Sequence, residues 1–138
     1  KTVSQNVKKV VSKLKENNDS RVDFHVNDFR PWGNYQVLDE VNEKFKVKRI
    51  RVKPGKRLSY QMHHHRSENW IVVSGIATVT IDDQVFDLHK GESTYIEVAQ
   101  RHRLENRTSE DLEIIEVQHG DYFGEDDIIR FDDDFNRT

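Results

Sequence analysis

The sequence predicts an all-β domain, a sandwich or barrel made of short strands. Three observations support this prediction. The chain has 138 residues, which is the size of one ordinary domain. From Val22 to Gln118, short runs of alternating hydrophobicity are separated by turn residues, and no run has the period of a helix. Hydrophobic residues make up 34% of the chain, so the core is expected to be small.

The predicted strands follow one another along this segment and are bounded by glycine, proline, aspartate and serine. Ile76–Ile81 and Gln84–Leu88, joined by Asp82 and Asp83, are expected to form a tight hairpin. The full set of predicted strands is Tyr35–Asp39, Phe45–Val52, Leu58–His63, Glu68–Ser74, Ile76–Ile81, Gln84–Leu88, Ser93–Ile96, His102–Asn106 and Leu112–Gln118.

The two ends of the chain differ from this β segment. Residues 1–20 are predicted to form a short amphipathic helix and a linker, because one face carries Val3, Val7, Val10 and Leu14. The β domain is then expected to cover residues 21–138. Its last part, from His119, is acidic but contains aromatic residues, so we expect it to pack across the barrel.

Composition excludes several classes of protein. The net charge of −3 argues against a nucleic-acid partner, which usually requires a basic excess. No apolar run approaches the roughly 20 residues of a membrane span, and we expect no secretory leader because Lys1–Val11 contains no apolar run. The absence of cysteine excludes disulfides and thiolate metal sites. We therefore expect a cytoplasmic protein in which nitrogen and oxygen atoms hold any transition metal.

A possible metal site is formed by side chains on three predicted strands. Gln61 and His63 are two residues apart and share one strand face, Glu68 begins the next strand, and His102 begins another. The alternative, a surface cluster of His63 to His65, conflicts with alternation because neighbouring side chains point apart. One amide, two imidazoles and one carboxylate suit a single divalent ion: zinc first, or cobalt, manganese, nickel or iron.

These residues resemble the two sequence motifs of the cupin family. The first motif is matched by Gly55, Gln61, His63, Glu68 and Gly75, and the second by Gly91, His102 and Asn106. Gln61 stands where many cupins have histidine, and Glu97 and Ala99 stand where the second motif often has proline and glycine. The resemblance implies a jelly-roll barrel, also called a double-stranded β-helix.

A narrower resemblance is to the type II phosphomannose isomerase domain, and it extends from Phe29 to Phe135. It is carried by the Gln61–His65 run and by Arg30–Gly33, Phe45–Ile50, Glu68–Trp70, Glu92–Ile96, His102–Asn106, Ile115–Gln118 and Glu125–Phe131. The family implies reversible conversion of mannose 6-phosphate to fructose 6-phosphate. In that family the domain commonly ends a longer protein whose upstream part is a mannose-1-phosphate guanylyltransferase, and Lys1–Glu16 resembles the connector.

An aldose–ketose isomerisation through an enediol needs a proton carrier and a cation for the phosphate. Strand parity predicts Lys48 inside the barrel, and His65 could reach its mouth, so these two are the catalytic candidates. His64 and Glu116 are also possible general bases. The substrate-binding candidates are Arg66, Arg103, Arg130 and Tyr122. The residues expected to support the metal ligands are Asn106, Glu116 and Gln118.

The sequence is compatible with two other functions. The domain could bind a metal and a sugar phosphate without catalysis, as a module attached to the guanylyltransferase. A cupin dioxygenase is the third hypothesis, and Gln61 in place of a histidine makes it the weakest. A homodimer is also expected, because the edge strands of such sheets often pair.

Overall fold

A computed structural model describes residues 27–135 of the chain. These residues form eleven strands in two sheets and one turn of 3₁₀ helix, so the predicted all-β class is confirmed. The predicted N-terminal helix and the boundary after residue 20 lie outside the described residues.

The strands agree closely with those predicted from hydrophobic alternation. Phe45–Val52, Gln84–Leu88 and Ser93–Ile96 match residue for residue, and the ends of the other predicted strands shift by no more than two residues. The strands are β1 Asp28–Arg30, β2 Gly33–Val41, β3 Phe45–Val52, β4 Tyr60–Met62, β5 Arg66–Ser74, β6 Ala77–Ile81, β7 Gln84–Leu88, β8 Ser93–Ile96, β9 His102–Glu105, β10 Leu112–Gly120 and β11 Ile129–Asp132. The 3₁₀ turn spans Glu125–Asp127.

Six strands form one sheet in the order β1-β2-β3-β10-β5-β8, and five form the other in the order β11-β4-β9-β6-β7. The expected hairpin joins β6 to β7, where Asp82 and Asp83 both adopt positive φ, as a tight two-residue turn requires. Strands β1 and β11 were not predicted. Strand β11 pairs with β4, which confirms that the C-terminal segment packs on the barrel.

The inner face of the larger sheet is divided into an apolar end and a polar end. Strands β3 and β10 pair so that their buried side chains form successive rows, Val52–Leu112, Ile50–Ile114 and Lys48–Glu116. The same change continues into β5, where Trp70 pairs with Glu116 and Glu68 pairs with Gln118. The apolar rows provide the hydrophobic core, and the polar rows leave charged side chains inside the barrel, where they need partners.

Candidate active site

Three predicted metal ligands meet between the two sheets. His63 directly follows β4 and His102 begins β9, both in the smaller sheet, whereas Glu68 lies on β5 of the larger sheet. The three side chains are buried. His63 Nε2 lies 3.2 Å from one carboxylate oxygen of Glu68, and His102 Nε2 lies 3.7 Å from the other. One potential ligand atom from each residue lies within 4.8 Å of the other two.

The backbone holds both imidazoles with Nε2 directed at the carboxylate. His63 Nδ1 lies 3.2 Å from the carbonyl oxygen of Asp127, and His102 Nδ1 lies 2.9 Å from that of Gln100. Because a carbonyl only accepts, each Nδ1 must donate. Neither buried Nε2 has a well-aligned hydrogen-bond partner among the described residues.

This donor set fits a divalent metal ion. A proton or a metal cation between each histidine Nε2 and the facing Glu68 oxygen would give both atoms a partner. Ligands bound at about 2.0–2.1 Å from one ion are themselves separated by about 3 Å or slightly more, close to the two separations observed. His63, Glu68 and His102 are therefore suitably placed to hold one ion.

The fourth predicted ligand, Gln61, lies beside this cluster. Its backbone is the direct partner of His102 between β4 and β9, and its side chain lines the adjoining cavity. The Gln61 amide oxygen accepts a 2.9 Å hydrogen bond from the Ser59 hydroxyl. An amide oxygen has two lone pairs, so one remains for a further partner.

Glu116 and Gln118 lie in a hydrogen-bond network next to Glu68. The Gln118 side-chain amide donates to Glu116 at 2.8 Å and approaches Glu68 at 3.5 Å. The indole N–H of Trp70 is shared between Glu68 and Glu116, at 3.0 Å from each. The sequence does not indicate this bridging role of Trp70, since an inward aromatic residue on a strand predicts packing and does not show what its N–H contacts.

The two carboxyl groups differ in charge because their surroundings differ. Burial raises the pKa of Glu116 to about 8, and the nearby negative charge of Glu68 adds to this effect. Burial also opposes ionisation of Glu68, but its close contacts with the imidazoles of His63 and His102 and the positive charge of Arg66 keep the Glu68 pKa well below its ordinary value. Glu68 is therefore the ionised member of the pair at neutral pH.

Burial lowers the pKa of His102 below its ordinary value, against the opposing effect of the Glu68 charge. A lowered pKa leaves the ring neutral at pH 7. A neutral imidazole is the form that binds a metal, so His102 needs to lose no proton at that pH to act as a ligand.

A cavity next to the cluster is lined by positive side chains. Lys48 and Arg66 are buried there, with Lys48 Nζ 4.3 Å from the centre of the Tyr35 ring and Arg66 Nε 3.6 Å from Glu68. The charged lining comprises Arg30, Lys48, Arg66, Arg130, Glu68, Glu116 and Glu125. Arg30, Tyr35 and Glu125 were not predicted to line this cavity, because neither strand parity nor the ligand spacing relates those residues to the metal ligands.

Two predicted site residues have other roles in the structure. Arg103 donates to the backbone oxygens of Leu58 and Asp132, at 2.9 Å each, and so ties β9 to β11. It points away from the cavity because its parity is opposite to that of His102. The Asn106 amide donates to the Val52 and Glu110 carbonyls and its oxygen accepts from Thr108. Asn106 therefore stabilises the turn after β9, and we correct both expectations.

His65 and Tyr122 lie at the surface, outside the cavity lining. The His65 ring packs edge-on against Tyr122, with 6.0 Å between the ring centres, and both residues are exposed. The Tyr122 hydroxyl donates to Asp126. The chain turns outward between His63 and the start of β5, which separates His65 from the inward-facing ligands. The predicted roles of both residues at the reacting centre are therefore corrected.

The C-terminal segment contributes a residue that the sequence did not indicate. The two carboxylate oxygens of Asp127 accept the backbone N–H groups of His64 and His65 at 2.9 and 3.0 Å. On the other side, the His63 carbonyl accepts the N–H of Ala99 at 2.8 Å. The backbone around His63 is thus fixed by two distant parts of the chain. Asp127 is more than 60 residues away from these histidines in the chain, so only the tertiary structure brings it next to them.

Comparison with known proteins identifies the family. The model of the family described as mannose-6-phosphate isomerase C-terminal matches residues 17–133. The chain belongs to this mannose-6-phosphate isomerase C-terminal family. Within it, the xanthan biosynthesis protein XanB of Xanthomonas campestris pv. campestris and the alginate biosynthesis protein AlgA of Pseudomonas aeruginosa are 53% and 54% identical to the chain over 134 residues. The mannose-1-phosphate guanylyltransferase ManC of Salmonella typhimurium is 48% identical.

The matches to these three relatives cover 97% of the chain but 28% of each relative, so this mannose-6-phosphate isomerase C-terminal domain spans little more than a quarter of their length. In the described part of the chain, no helix is long and apolar enough to cross a membrane.

Solved structures share the fold at low sequence identity. The capsular polysaccharide assembling protein CapF of Staphylococcus aureus aligns over 78% of the chain and 34% of CapF, with a TM-score of 0.67 and 21% identity. A sugar phosphate isomerase from a cupin superfamily of Silicibacter pomeroyi aligns over 55% of the chain and 50% of that protein, with a TM-score of 0.52 and 20% identity. The predicted cupin fold is thus confirmed for this family member.

Proposed function

We propose that this domain is a metal-dependent aldose–ketose isomerase that interconverts mannose 6-phosphate and fructose 6-phosphate. The observation that carries the proposal is the His63–Glu68–His102 cluster, with both Nε2 atoms turned towards Glu68, next to a cavity lined by positive side chains. Membership of a family described as mannose-6-phosphate isomerase C-terminal supports the choice of substrate.

His63, Glu68 and His102, together with Gln61, would hold the ion. When bound, a divalent ion stabilises negative charge on neighbouring oxygen atoms, which is the charge that develops when an aldose is converted to an enediol. Trp70 and Gln118 keep the Glu68 carboxylate oriented from behind. His63, Glu68 and His102 are nearly inaccessible to solvent, which strengthens these electrostatic interactions.

The positive side chains are suited to the phosphate of the substrate. The guanidinium fork of Arg66 presents several donors, a geometry that matches phosphate oxygens. Arg66 is nearly inaccessible to solvent and its Nε has no well-aligned partner among the described atoms. Lys48 and Arg130 line the same cavity and add positive charge. We therefore propose that Arg66 binds the phosphate, with help from Lys48 and Arg130.

The isomerisation moves a proton between C1 and C2, and two of the candidate proton carriers line the cavity. Lys48 and Glu116 are there, whereas His64 and His65 are exposed. Glu116 keeps its proton at neutral pH because burial raises its pKa to about 8. We propose that Glu116 carries this proton beside Lys48, and that neither exposed histidine takes part. The ionised form of Glu116, the minor form at neutral pH, would accept the proton from C2 and return it to C1.

An isomerase assay with defined metal content tests this function. We expect the chain to interconvert the two hexose phosphates when loaded with Zn²⁺ or Co²⁺, and chelation to abolish the reaction. His63→Gln should abolish turnover and metal binding together. His64→Gln, which removes the exposed neighbouring imidazole, should preserve both. If the metal-loaded wild-type chain binds one ion but shows no turnover, the isomerase function is wrong for this chain.

A non-catalytic module is the second candidate, and one comparison favours it. ManC, at 48% identity, carries a name that describes a mannose-1-phosphate guanylyltransferase and mentions no isomerase. In that case the domain would bind a metal and a sugar phosphate beside a transferase. Binding of mannose 6-phosphate by calorimetry, without conversion to fructose 6-phosphate, would support this alternative.

A further inference from the structure

We propose that Asp127 is a positioning residue that fixes the imidazole of His63 for metal binding. This inference rests on the proposed function, because it concerns the same metal site. Among its described contacts, Asp127 touches neither the cavity nor Glu68. It contacts the ring of His63 and the backbone of His64 and His65, which together are called the histidine run.

Asp127 makes three contacts with three consecutive histidines. Its two carboxylate oxygens accept the backbone N–H groups of His64 and His65, and its own carbonyl lies 3.2 Å from Nδ1 of His63. The side chain therefore holds the turn after β4, and the same residue's backbone orients the ring. Asp127 is buried, with 6% of its surface exposed, so water does not compete strongly for these hydrogen bonds.

The contact at Nδ1 decides which nitrogen can bind a metal. A carbonyl oxygen can only accept, so it keeps a proton on Nδ1 and leaves Nε2 directed at Glu68. If the carbonyl moved away, the ring could rotate or carry its proton on Nε2, and the ligand atom would be lost. The carboxylate of Asp127 prevents this movement by fixing the distance between the 3₁₀ turn and the histidine run.

The C-terminal segment holds Asp127 in place from both sides. Its N–H donates to the Gly124 carbonyl at 3.1 Å, which closes the 3₁₀ turn. After Asp127 the chain enters β11, where Ile129 pairs with Met62 and Arg130 pairs with Gln61. The segment that orients His63 is thus anchored on β4, the strand that carries Gln61.

Metal affinity and ring protonation test this role. Asp127→Asn keeps the size of the side chain but turns an N–H₂ group towards a backbone N–H. We expect the affinity for Co²⁺, measured by titrating its visible absorption bands, to fall about 10- to 100-fold. Asp126→Asn makes the same change in the same turn, at an exposed side chain that contacts Tyr122, and should leave the affinity and the spectrum unchanged.

A second measurement tests the role of Asp127 even if Asp127→Asn does not fold. In the metal-free wild-type chain, ¹⁵N shifts of the His63 ring, assigned by comparison with His63→Gln, should show a protonated Nδ1. A bare Nδ1 would overturn the proposal, and so would an Asp127→Asn chain with wild-type Co²⁺ affinity. If the wild-type chain binds no Co²⁺ although Nδ1 is protonated, the proposed function fails and the positioning of His63 by Asp127 stands.

Discussion

Lys48 and Glu116 are direct partners between strands β3 and β10, and both side chains are buried inside the barrel. They mark the row at which the inner face changes from apolar to polar. Each has a further partner: Lys48 lies over the Tyr35 ring, and Glu116 accepts hydrogen bonds from Trp70 and Gln118. A buried carboxyl with these neighbours links the stability of the barrel to pH.

The stability of the metal-free chain should depend on pH through Glu116. The Glu116 pKa is about 8 in the folded chain and near the ordinary 4.5 when unfolded. Between these pH values the unfolded chain releases a proton that the folded chain keeps, so folding becomes less favourable as pH rises. Glu116→Gln removes this effect. His102 is present in both wild type and variant, so its contribution to the pH dependence cancels when the two are compared.

We therefore expect the free energy of unfolding of Glu116→Gln to increase relative to wild type by about 2 kcal/mol or more between pH 5 and pH 8, measured by urea unfolding. Glu113→Gln serves as the control for loss of charge. Glu113 lies on β10, like Glu116, and its carboxylate forms an ion pair with Arg49 of β3. A difference between Glu116→Gln and wild type that is constant with pH would show that Glu116 ionises normally in the folded chain.

Zinc should stabilise the folded chain, because the folded state brings the three ligands together and the unfolded state does not. At a free Zn²⁺ concentration 100 times the dissociation constant, the free energy of unfolding should rise by about 2.7 kcal/mol. Glu68→Gln should lose most of this gain and His64→Gln should retain it. Equal stabilisation of both variants would place the bound zinc elsewhere on the chain.

Arg66→Lys should weaken substrate binding more than turnover. A lysine keeps the positive charge but loses the planar fork that matches phosphate oxygens. We expect KM for mannose 6-phosphate to rise about tenfold, equivalent to about 1.4 kcal/mol of binding energy, with a smaller change in kcat. Arg49→Lys, on the same sheet but outside the cavity lining, is the matched control. A KM unaffected by Arg66→Lys would assign the phosphate to other cations.

Arg103→Met should destabilise the fold without affecting the substrate. The substitution removes the donor to the backbone carbonyls of Leu58 and Asp132, which are only partly shielded from water, and each lost hydrogen bond should cost about 0.5–1.5 kcal/mol. Arg101→Met, which removes an exposed cation stacked 4.2 Å from the Phe131 ring, should cost less than about 1 kcal/mol. Thermal and urea unfolding measure both effects. A change in KM with normal stability would restore Arg103 as a substrate ligand.

Ala99→Gly should maintain or increase stability, because Ala99 has a φ of +68°, where a Cβ atom is unfavourable. The gain is limited to about 1 kcal/mol, since glycine also adds freedom to the unfolded chain. Ala77→Gly makes the same change in the buried strand β6 and should lower the free energy of unfolding by about 1 kcal/mol. A clear loss of stability in Ala99→Gly would show that the turn before β9 is not strained.

The sequence by itself determined the strands and the direction of their side chains, and it predicted which residues could hold a metal. Alternation has a period of two, so the inward direction of Ile50 and Val52 could be predicted from local pattern alone. The same rule placed Lys48 and Glu116 inside the barrel. The spacing of Gln61, His63, Glu68 and His102 indicated a common site, and the resemblance to cupins explained why such distant segments should meet.

Only the tertiary structure decided which groups act on those ligands. Asp127 reaches His63 because β11 pairs with β4, and Arg103 is committed to Asp132 by the same pairing. Trp70 bridges Glu68 and Glu116 because β5, which carries Glu68 and Trp70, stands beside β10, which carries Glu116. The physical reason is that strand periodicity is a local property, whereas a hydrogen bond between residues far apart in the chain depends on sheet order and register, which the local pattern does not encode.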